Sequence, residues 1–453
     1  MTVFLPEPRL LDSPRHRGWP PYPAAGASTR PGERPAGADV VIVGAGPAGL
    51  AVACALWHLG VHDVAVLDRA GRPCRRFLDR IDVLNQRVLR SPYQHHPGVE
   101  GYRDCELLDF ARLHWSRLTE VERREIRMAQ AGHRSVVPVD VFEAYCRYLA
   151  TIHRVYDRTW RATVRELRWE PDGFTVLADR LQVRAAFVVL CLGEERRPAP
   201  VIWWDGGLPP PHVSYWDEPV PAGLESVVVV GAGLSAAHLI ANALGAGQRV
   251  HWVLREASER YQCSDVNAAF FRAEGRARFH DAVPWPDRLS LMRRERRASV
   301  MFEFRPLLQA AEADGRLTVH RGRAVAAMTA QSSRHGGGAS VLLSDGERVA
   351  GDHIALALGT VPSTGAPLLP DRLVGARDGW PNLDERTLAY RRAPRAFAVG
   401  AAAGMVLGPA ARNIDGHRVA TARVATTIAA RLADGDGLAL AGRAAPHRAV
   451  ARA

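Results

Sequence analysis

The chain has 453 residues, 47% of them hydrophobic, and 59 basic against 48 acidic side chains give a formal charge of +11. This length suits about three domains of ordinary size. No apolar run approaches the roughly 18 to 20 residues of a membrane helix, and the amino-terminal stretch lacks the apolar core of a secretory signal, so a cytoplasmic protein is expected.

Every basic residue is arginine, which rules out Schiff-base and P-loop lysine chemistry. Cys54, Cys74, Cys105, Cys146, Cys191 and Cys263 include no C-x-x-C pair, which argues against zinc ribbons and dithiol redox motifs. Residues 1–37, rich in proline, glycine and arginine, read as a mostly disordered extension. Most of the excess charge lies there, in residues 292–297 and in residues 437–453, without interleaved aromatics. No nucleic-acid partner is therefore expected.

Val40 to Val43 is a β-branched run that reads as a buried strand. It runs into Gly44-Ala-Gly46-Pro47-Ala48-Gly49, the spacing G-x-G-x-x-G. The first glycine permits the tight turn, the second lets a pyrophosphate approach the backbone, and the third lets the following helix pack on the strand. Pro47 suits the first helical turn, where its missing N–H has no partner to lose. The helix should end near Leu59 with Gly60 as its cap. Val64 to Leu67 is a second strand, ending on Asp68 and Arg69, with Asp68 placed to accept hydrogen bonds from a ribose diol.

From Gly71 to Trp115 little periodicity is visible, so a long covering loop is expected, and so long an irregular stretch is more often functional than incidental. Residues 140–152 have a helical period. Strand-like alternation follows, ending in the apolar run Phe187 to Leu192 and Gly193. Seven prolines between Pro198 and Pro221 mark a boundary without room for a helix or a central strand.

The opening pattern then recurs. Ser226 to Val230 is a strand, Gly231-Ala-Gly233-Leu-Ser235-Ala236 is G-x-G-x-x-A, and Arg249 to Leu254 is the next strand. Its tip is Arg255, 24 positions after Gly231, as Asp68 stands 24 positions after Gly44. An aspartate at that position repels a ribose 2′-phosphate, whereas a guanidinium pairs with it, so the second unit is expected to hold NADPH. Asp352 to Gly359 repeats the strand-to-glycine return of Gly193, Ala396 to Gly400 form a last strand, and Asp415 is expected to cap a helix running to about Leu432.

Two dinucleotide units, the second set between halves of the first, resemble the flavoproteins with two dinucleotide-binding domains, in which the first unit takes FAD and the second NAD(P)H. Disulfide reductases of that group need a cysteine pair absent here, so the chain looks like the class B flavin monooxygenases that use FAD and NADPH. His212-Val-Ser-Tyr-Trp216 matches half of their motif, and Cys263-Ser-Asp-Val-Asn267-Ala-Ala-Phe-Phe271 looks like the segment before the substrate site of the ornithine and lysine N-hydroxylases.

The resemblance implies an α/β fold of two nested Rossmann-like domains, the NADP-binding domain (221–321) inserted into the FAD-binding domain (38–220 and 322–432), followed by a flexible tail (433–453). It implies FAD contacts at Gly44, Gly46, Pro47, Ala48, Gly49, Asp68, Arg69, Gly400, Asn413 and Ile414. NADPH contacts fall at Gly231, Gly233, Ser235, Ala236 and Arg255, and a substrate contact at Asn267. The loop from Arg75 to His96 would cover the flavin, with Arg90 and His95 near its reactive edge, and the last helix would aim its amino end at the pyrimidine ring.

The activity implied is insertion of one oxygen from O2 into a small molecule, with N-hydroxylation favoured, through a C4a-(hydro)peroxyflavin. A flavin-dependent NADPH reductase serving a protein partner, or a catalytically quiet NADP-binding redox sensor, stays open, as does homo-oligomerisation. No membrane partner is expected. Two departures stand out: the family's Gly-Asp is here Gly400-Ala401, and the lysine that amino-acid N-hydroxylases place near the substrate carboxylate has no counterpart unless Arg90 replaces it.

Overall fold

A computed structural model describes residues 7–20, 35–99, 106–179, 181–204, 209–266, 270, 272–282, 284–331, 337–366 and 368–437. Val40, Val41 and Ile42 are fully buried in β1 (Gly37–Val43), because helices and further strands cover both faces of its sheet. α1 (Pro47–His58) leads to β2 (Val64–Asp68), which pairs in parallel with β1. α2 (Arg75–Val83), α3 (Val139–Ile152), β3 (Thr159–Arg161) and β4 (Leu181–Leu190) follow.

In space the parallel order of the first sheet is β3, β2, β1, β4 and then Ala393–Ala398, with Ala389–Tyr390 antiparallel at the edge. The antiparallel hairpin Val164–Glu170 and Gly173–Ala178 also joins β4.

A second sheet is built from the chain between β4 and Ala393. Its order is β5 (Val213–Tyr215), β9 (His353–Leu356), β6 (Ser226–Val230), β7 (Arg249–Leu254) and β8 (Leu317–Arg321), all parallel. α4 (Leu234–Gly245) is the helix after β6. The architecture is thus two nested α/β units. Glu194–Arg196 enters the insertion, Thr360–Pro362 leaves it, and the two pair antiparallel with Arg196 opposite Thr360. Entry and exit form one ribbon.

Four expectations change. The boundary expected at 321/322 falls inside the second unit, because β9 pairs with β6 and β5 rather than with the first sheet. Residues 7–20 of the extension expected to be disordered are packed. Leu10 is 1% exposed against Leu84, Val88, Val300, Met301 and Phe304. Arg17 donates to Glu122 at 2.7 and 2.8 Å and to Asp140 at 2.7 Å.

The expected loop after Asp68 contains α2 and a helix at Leu107–Leu113, both arginine-bearing and short, which blurs their period. Finally, α5 (Ile414–Ala433), the last described helix, has Asn413 as its N-cap, and Asp415 lies in its first turn. The helical period at 140–152 corresponds to α3, and among the described residues the proline-rich stretch supplies the edge strand β5 and a 3-10 turn at Val201–Trp204.

Candidate functional site

The glycine loop between β1 and α1 is shaped by backbone crowding. Gly44 has φ +99°, and a Cβ there would lie 2.4 Å from the Cys191 carbonyl oxygen; a Cβ on Gly49 would lie 2.0 Å from that of Gly44. Gly46, by contrast, has open space where a Cβ would point, and it is the N-cap of α1 without a side-chain cap. An open, uncapped helix start is what a pyrophosphate needs. The Asp68 carboxylate accepts from Ala45 N–H (2.9 Å) and Ala70 N–H (2.7 Å), so it also fastens the loop. Cys74 N–H donates to the Ala45 carbonyl at 2.7 Å, setting α2 directly against the loop. Arg69 reaches Glu195, at the exposed edge of the ribbon.

The second loop repeats the first with one substitution. Gly231 has φ +139°, and a Cβ on it would lie 2.3 Å from the Ala357 carbonyl oxygen. Trp252 Nε1 donates to the Gly231 carbonyl at 2.6 Å. Gly233 is the uncapped N-cap of α4; Ser235 lies in its first turn and Ala236 is fully buried where the first unit has Gly49. At the tip of β7, Arg255 is exposed and makes no side-chain hydrogen bond or ion pair among the described residues.

The carboxyl ends of the two sheets meet at the turn before α5. Arg412 pairs with Glu194 on the way in and with Thr360 on the way out, clasping both strands of the ribbon. Arg296, just after the helix Trp285–Glu295, donates to Pro409 O (3.1 Å), to Asn413 Oδ1 (2.9 Å) and to the Asp265 carboxylate. Asn413 Nδ2 donates to Asp265 Oδ1 at 2.9 Å. Burial pushes the Asp265 carboxyl up, but the guanidiniums of Arg296, Arg90 and Arg412 outweigh it and hold it below the usual carboxylate range. Burial lowers Arg296 to about 10. Asp265 keeps 32% of its side-chain surface accessible, so it is not sealed in a packed core.

The other sequence-derived residues divide. His95 comes to the first turn of α5, with Nε2 3.9 Å from Asp415 Oδ1, and burial lowers its pKa. Arg90 instead ties the covering segment to the inserted unit. It donates to Gln262 O (2.8 Å), Ser299 O (3.2 Å) and Ser299 Oγ (3.0 Å), and burial lowers it to about 10. Those bonds occupy its terminal nitrogens, an arrangement unlike that of an open carboxylate receptor. Gly400, φ +94°, ends the last strand against α5, where a Cβ on it would lie 3.5 Å from His417 Nε2. Asn267 lies outside the described residues.

Asp265 lies within the Cys263–Phe271 segment and Arg296 within the arginine cluster at 292–297, but neither run signals that the two pair.

Residues 37–94 match the family model described as FAD binding domain. A comparison with curated proteins finds no match. Among solved structures, the chain is similar to the reduced form of ornithine hydroxylase from Pseudomonas aeruginosa, with TM-score 0.69, 15% identity, 87% of this chain and 100% of that one covered. It is similar to ornithine N-hydroxylase from Kutzneria sp. 744, whose structure is described with reduced FAD, NADP+ and L-ornithine, with TM-score 0.67, 17% identity and 87% and 100% coverage. Bacillithiol disulfide reductase from Bacillus cereus shares the fold at TM-score 0.55, 16% identity and 87% and 99% coverage. The fold is that of the flavoproteins with two dinucleotide-binding domains. At these identities the likeness is one of fold, which serves both oxygenation and disulfide reduction.

Proposed function

We propose that the protein is an FAD- and NADPH-dependent monooxygenase that places one oxygen atom from O2 on a small nucleophilic substrate, with N-hydroxylation of an amine the favoured reaction. The observation that carries this reading is the pairing of two open glycine loops with opposite residues at the same offset. Asp68 in the first unit suits a ribose diol, and Arg255, without a partner among the described residues, suits a 2′-phosphate. The residues fit the groups: Gly46 leaves space against the first loop, and the first-turn N–H groups of Ile414, Asp415 and Gly416 have no partner among the described residues.

Bound FAD would supply the redox chemistry, accepting hydride from NADPH and reducing O2. The protein's part is placement. Gly44 to Gly49 cradle the pyrophosphate, Asp68 takes a ribose hydroxyl on its remaining lone pairs, and α5 directs its amino end toward negative charge on the pyrimidine. Gly231 to Ala236 and Arg255 hold NADPH. α2 and the residues that follow it, fixed by Arg90 and by Arg80 on Glu194 O (3.0 Å), exclude water. His95, whose pKa burial lowers, stands beside Asp415 at the start of α5, with Nε2 3.9 Å from Asp415 Oδ1.

The test is purification followed by absorbance and by NADPH and O2 consumption against amines and thioethers. A yellow protein that consumes both and yields hydroxylamine supports the reading. Absence of flavin sinks it. NADPH oxidation that stays anaerobic in character, with electrons passing to a disulfide or an iron–sulfur protein, would instead favour a reductase, an activity that the shared fold with bacillithiol disulfide reductase keeps in view.

A further inference from the structure

Asn413 is the N-cap of a twenty-residue helix, yet its side chain makes no capping bond. Asparagine is among the best N-cap residues because its amide oxygen accepts from the N–H of the second or third helical residue. Here that oxygen accepts from Arg296 at 2.9 Å, and the Nδ2 group donates to Asp265 Oδ1 at 2.9 Å. Arg296 also donates to the other oxygen of Asp265, which closes a three-membered ring of bonds. Both partners belong to the inserted unit, whereas Asn413 belongs to the first. The amide is therefore turned away from its own helix by residues that reach across from the other unit.

The backbone around it is equally constrained. A Cβ on Gly416 would lie 2.3 Å from the Ala410 carbonyl oxygen and 2.5 Å from Ala411 Cα, so the preceding turn packs tightly on the helix start. The N–H groups of Ile414, Asp415 and Gly416 have no partner among the described residues. With the Asn413 amide diverted, nothing from the helix's own cap competes for them.

We propose that Asp265 and Arg296 are positioning residues that withhold the Asn413 side chain from α5, keeping the amino-terminal N–H groups of that helix available to the flavin. This rests on the reading that the first unit binds FAD. It also gives the inserted unit a direct hold on the flavin's surroundings, since any shift of Arg296 frees the cap. In this arrangement Asn413 contributes to binding through its position in the chain, and its amide acts only as an inhibitor held in check.

The consequence is a specific pattern of epistasis. In Asp265→Asn the ring loses its charge, the Asn413 amide can turn to cap α5, and FAD must displace it. The apoprotein should then bind FAD about tenfold more weakly, roughly 1.4 kcal/mol. Asn413→Ala alone supplies the baseline of the cycle, against which the double variant is measured. Asp265→Asn combined with Asn413→Ala should recover most of the lost affinity, because the competitor is gone. Arg296→Gln, alone and with Asn413→Ala, repeats the comparison should Asp265→Asn fold poorly.

The readouts are fluorescence titration of the apoproteins with FAD and the midpoint potential of the bound flavin, compared between each single ring variant and its double so that the charge change cancels; adding Asn413→Ala should raise it. If losses in the double variants simply add, or Asp265→Asn binds FAD as the wild type does, the positioning role is overturned. A wild-type protein that takes up no FAD sinks the parent reading instead, so the two failures are distinct.

Discussion

Asp68 and Arg255 stand at the same offset from the first glycine of their loops, but one is fastened and the other is loose. Asp68 binds the backbone N–H groups of Ala45 and Ala70 at 2.9 and 2.7 Å, whereas Arg255 projects into solvent without a described partner. A fastened acid shapes its loop even before ligand arrives; a loose guanidinium has everything to gain from a phosphate. Arg255→Ala should therefore leave the fold intact and weaken NADPH about 10- to 100-fold, the worth of a charge-assisted bond of roughly 1.5–3 kcal/mol. NADH should change little. Steady-state KM values for the two coenzymes check this, and equal effects on both would refute the phosphate assignment.

Gly44→Ala should abolish FAD uptake. The new methyl would need to displace the Cys191 backbone, 2.4 Å away, as well as adopt φ +99°. Gly60→Ala separates the two costs, since Gly60 has φ +78° with nothing within 4 Å of its Cβ position. That variant should lose only about 1–2 kcal/mol from the left-handed conformation and keep its flavin. Denaturant unfolding and absorbance at the flavin band distinguish them.

Leu10 and Arg17 make the amino-terminal segment part of the folded body. Leu10→Ala should cost about 2–5 kcal/mol, as deletion of a well-packed leucine does. Arg17→Ala leaves Glu122, 0% exposed, and Asp140, 1% exposed, without their guanidinium, a loss of about 3–5 kcal/mol. Urea midpoints measure both. Variants as stable as the wild type would mean that residues 7–20 do not pack in solution.

Acid should destabilise the fold well before the paired carboxylates titrate. Burial lowers His238 to about 3, and His353 and His417 to about 4, against 6.5 when exposed. Each imidazole is neutral in the folded chain and takes up a proton in the unfolded one. Their contribution is complete above pH 6.5 and is lost as pH falls toward 4, at up to about 1.4 kcal/mol per pH unit for each. His238→Leu removes one such term, so its stability should fall less steeply than the wild type's between pH 6.5 and 4. Parallel curves would show that His238 is already solvated.

The glycine loops are legible in the sequence because the need for them is local: a turn, a close carbonyl and a helix start lie within six residues. Asp68 and Arg255 are legible because a strand of known length fixes where its tip falls. The partner of β9 is not, since Ile354 to Leu356 and Val188 to Leu190 have the same apolar pattern before glycine, and no such run states which sheet it joins. Nor is the ring of Asp265, Arg296 and Asn413, whose members come from three distant segments and meet only once both units have folded. Leu10 is hidden for a simpler reason, because a leucine pair between prolines and arginines is too short to show a period.

The ribbon of Glu194–Arg196 and Thr360–Pro362 makes the inserted unit detachable in principle. Its two ends lie one strand spacing apart, about 5 Å, so the chain could pass from Arg196 to Thr360 through a two-residue turn without disturbing the order of the first sheet. Such a spliced chain should still collapse around β1 to β4 and take up FAD weakly, measurable by flavin fluorescence quenching; failure to fold would mean that the inserted unit is a structural necessity and not a guest. By its covalent connections the second unit is a side branch, held to the first by Leu10, Arg90 and Asn413 rather than by the path of the chain.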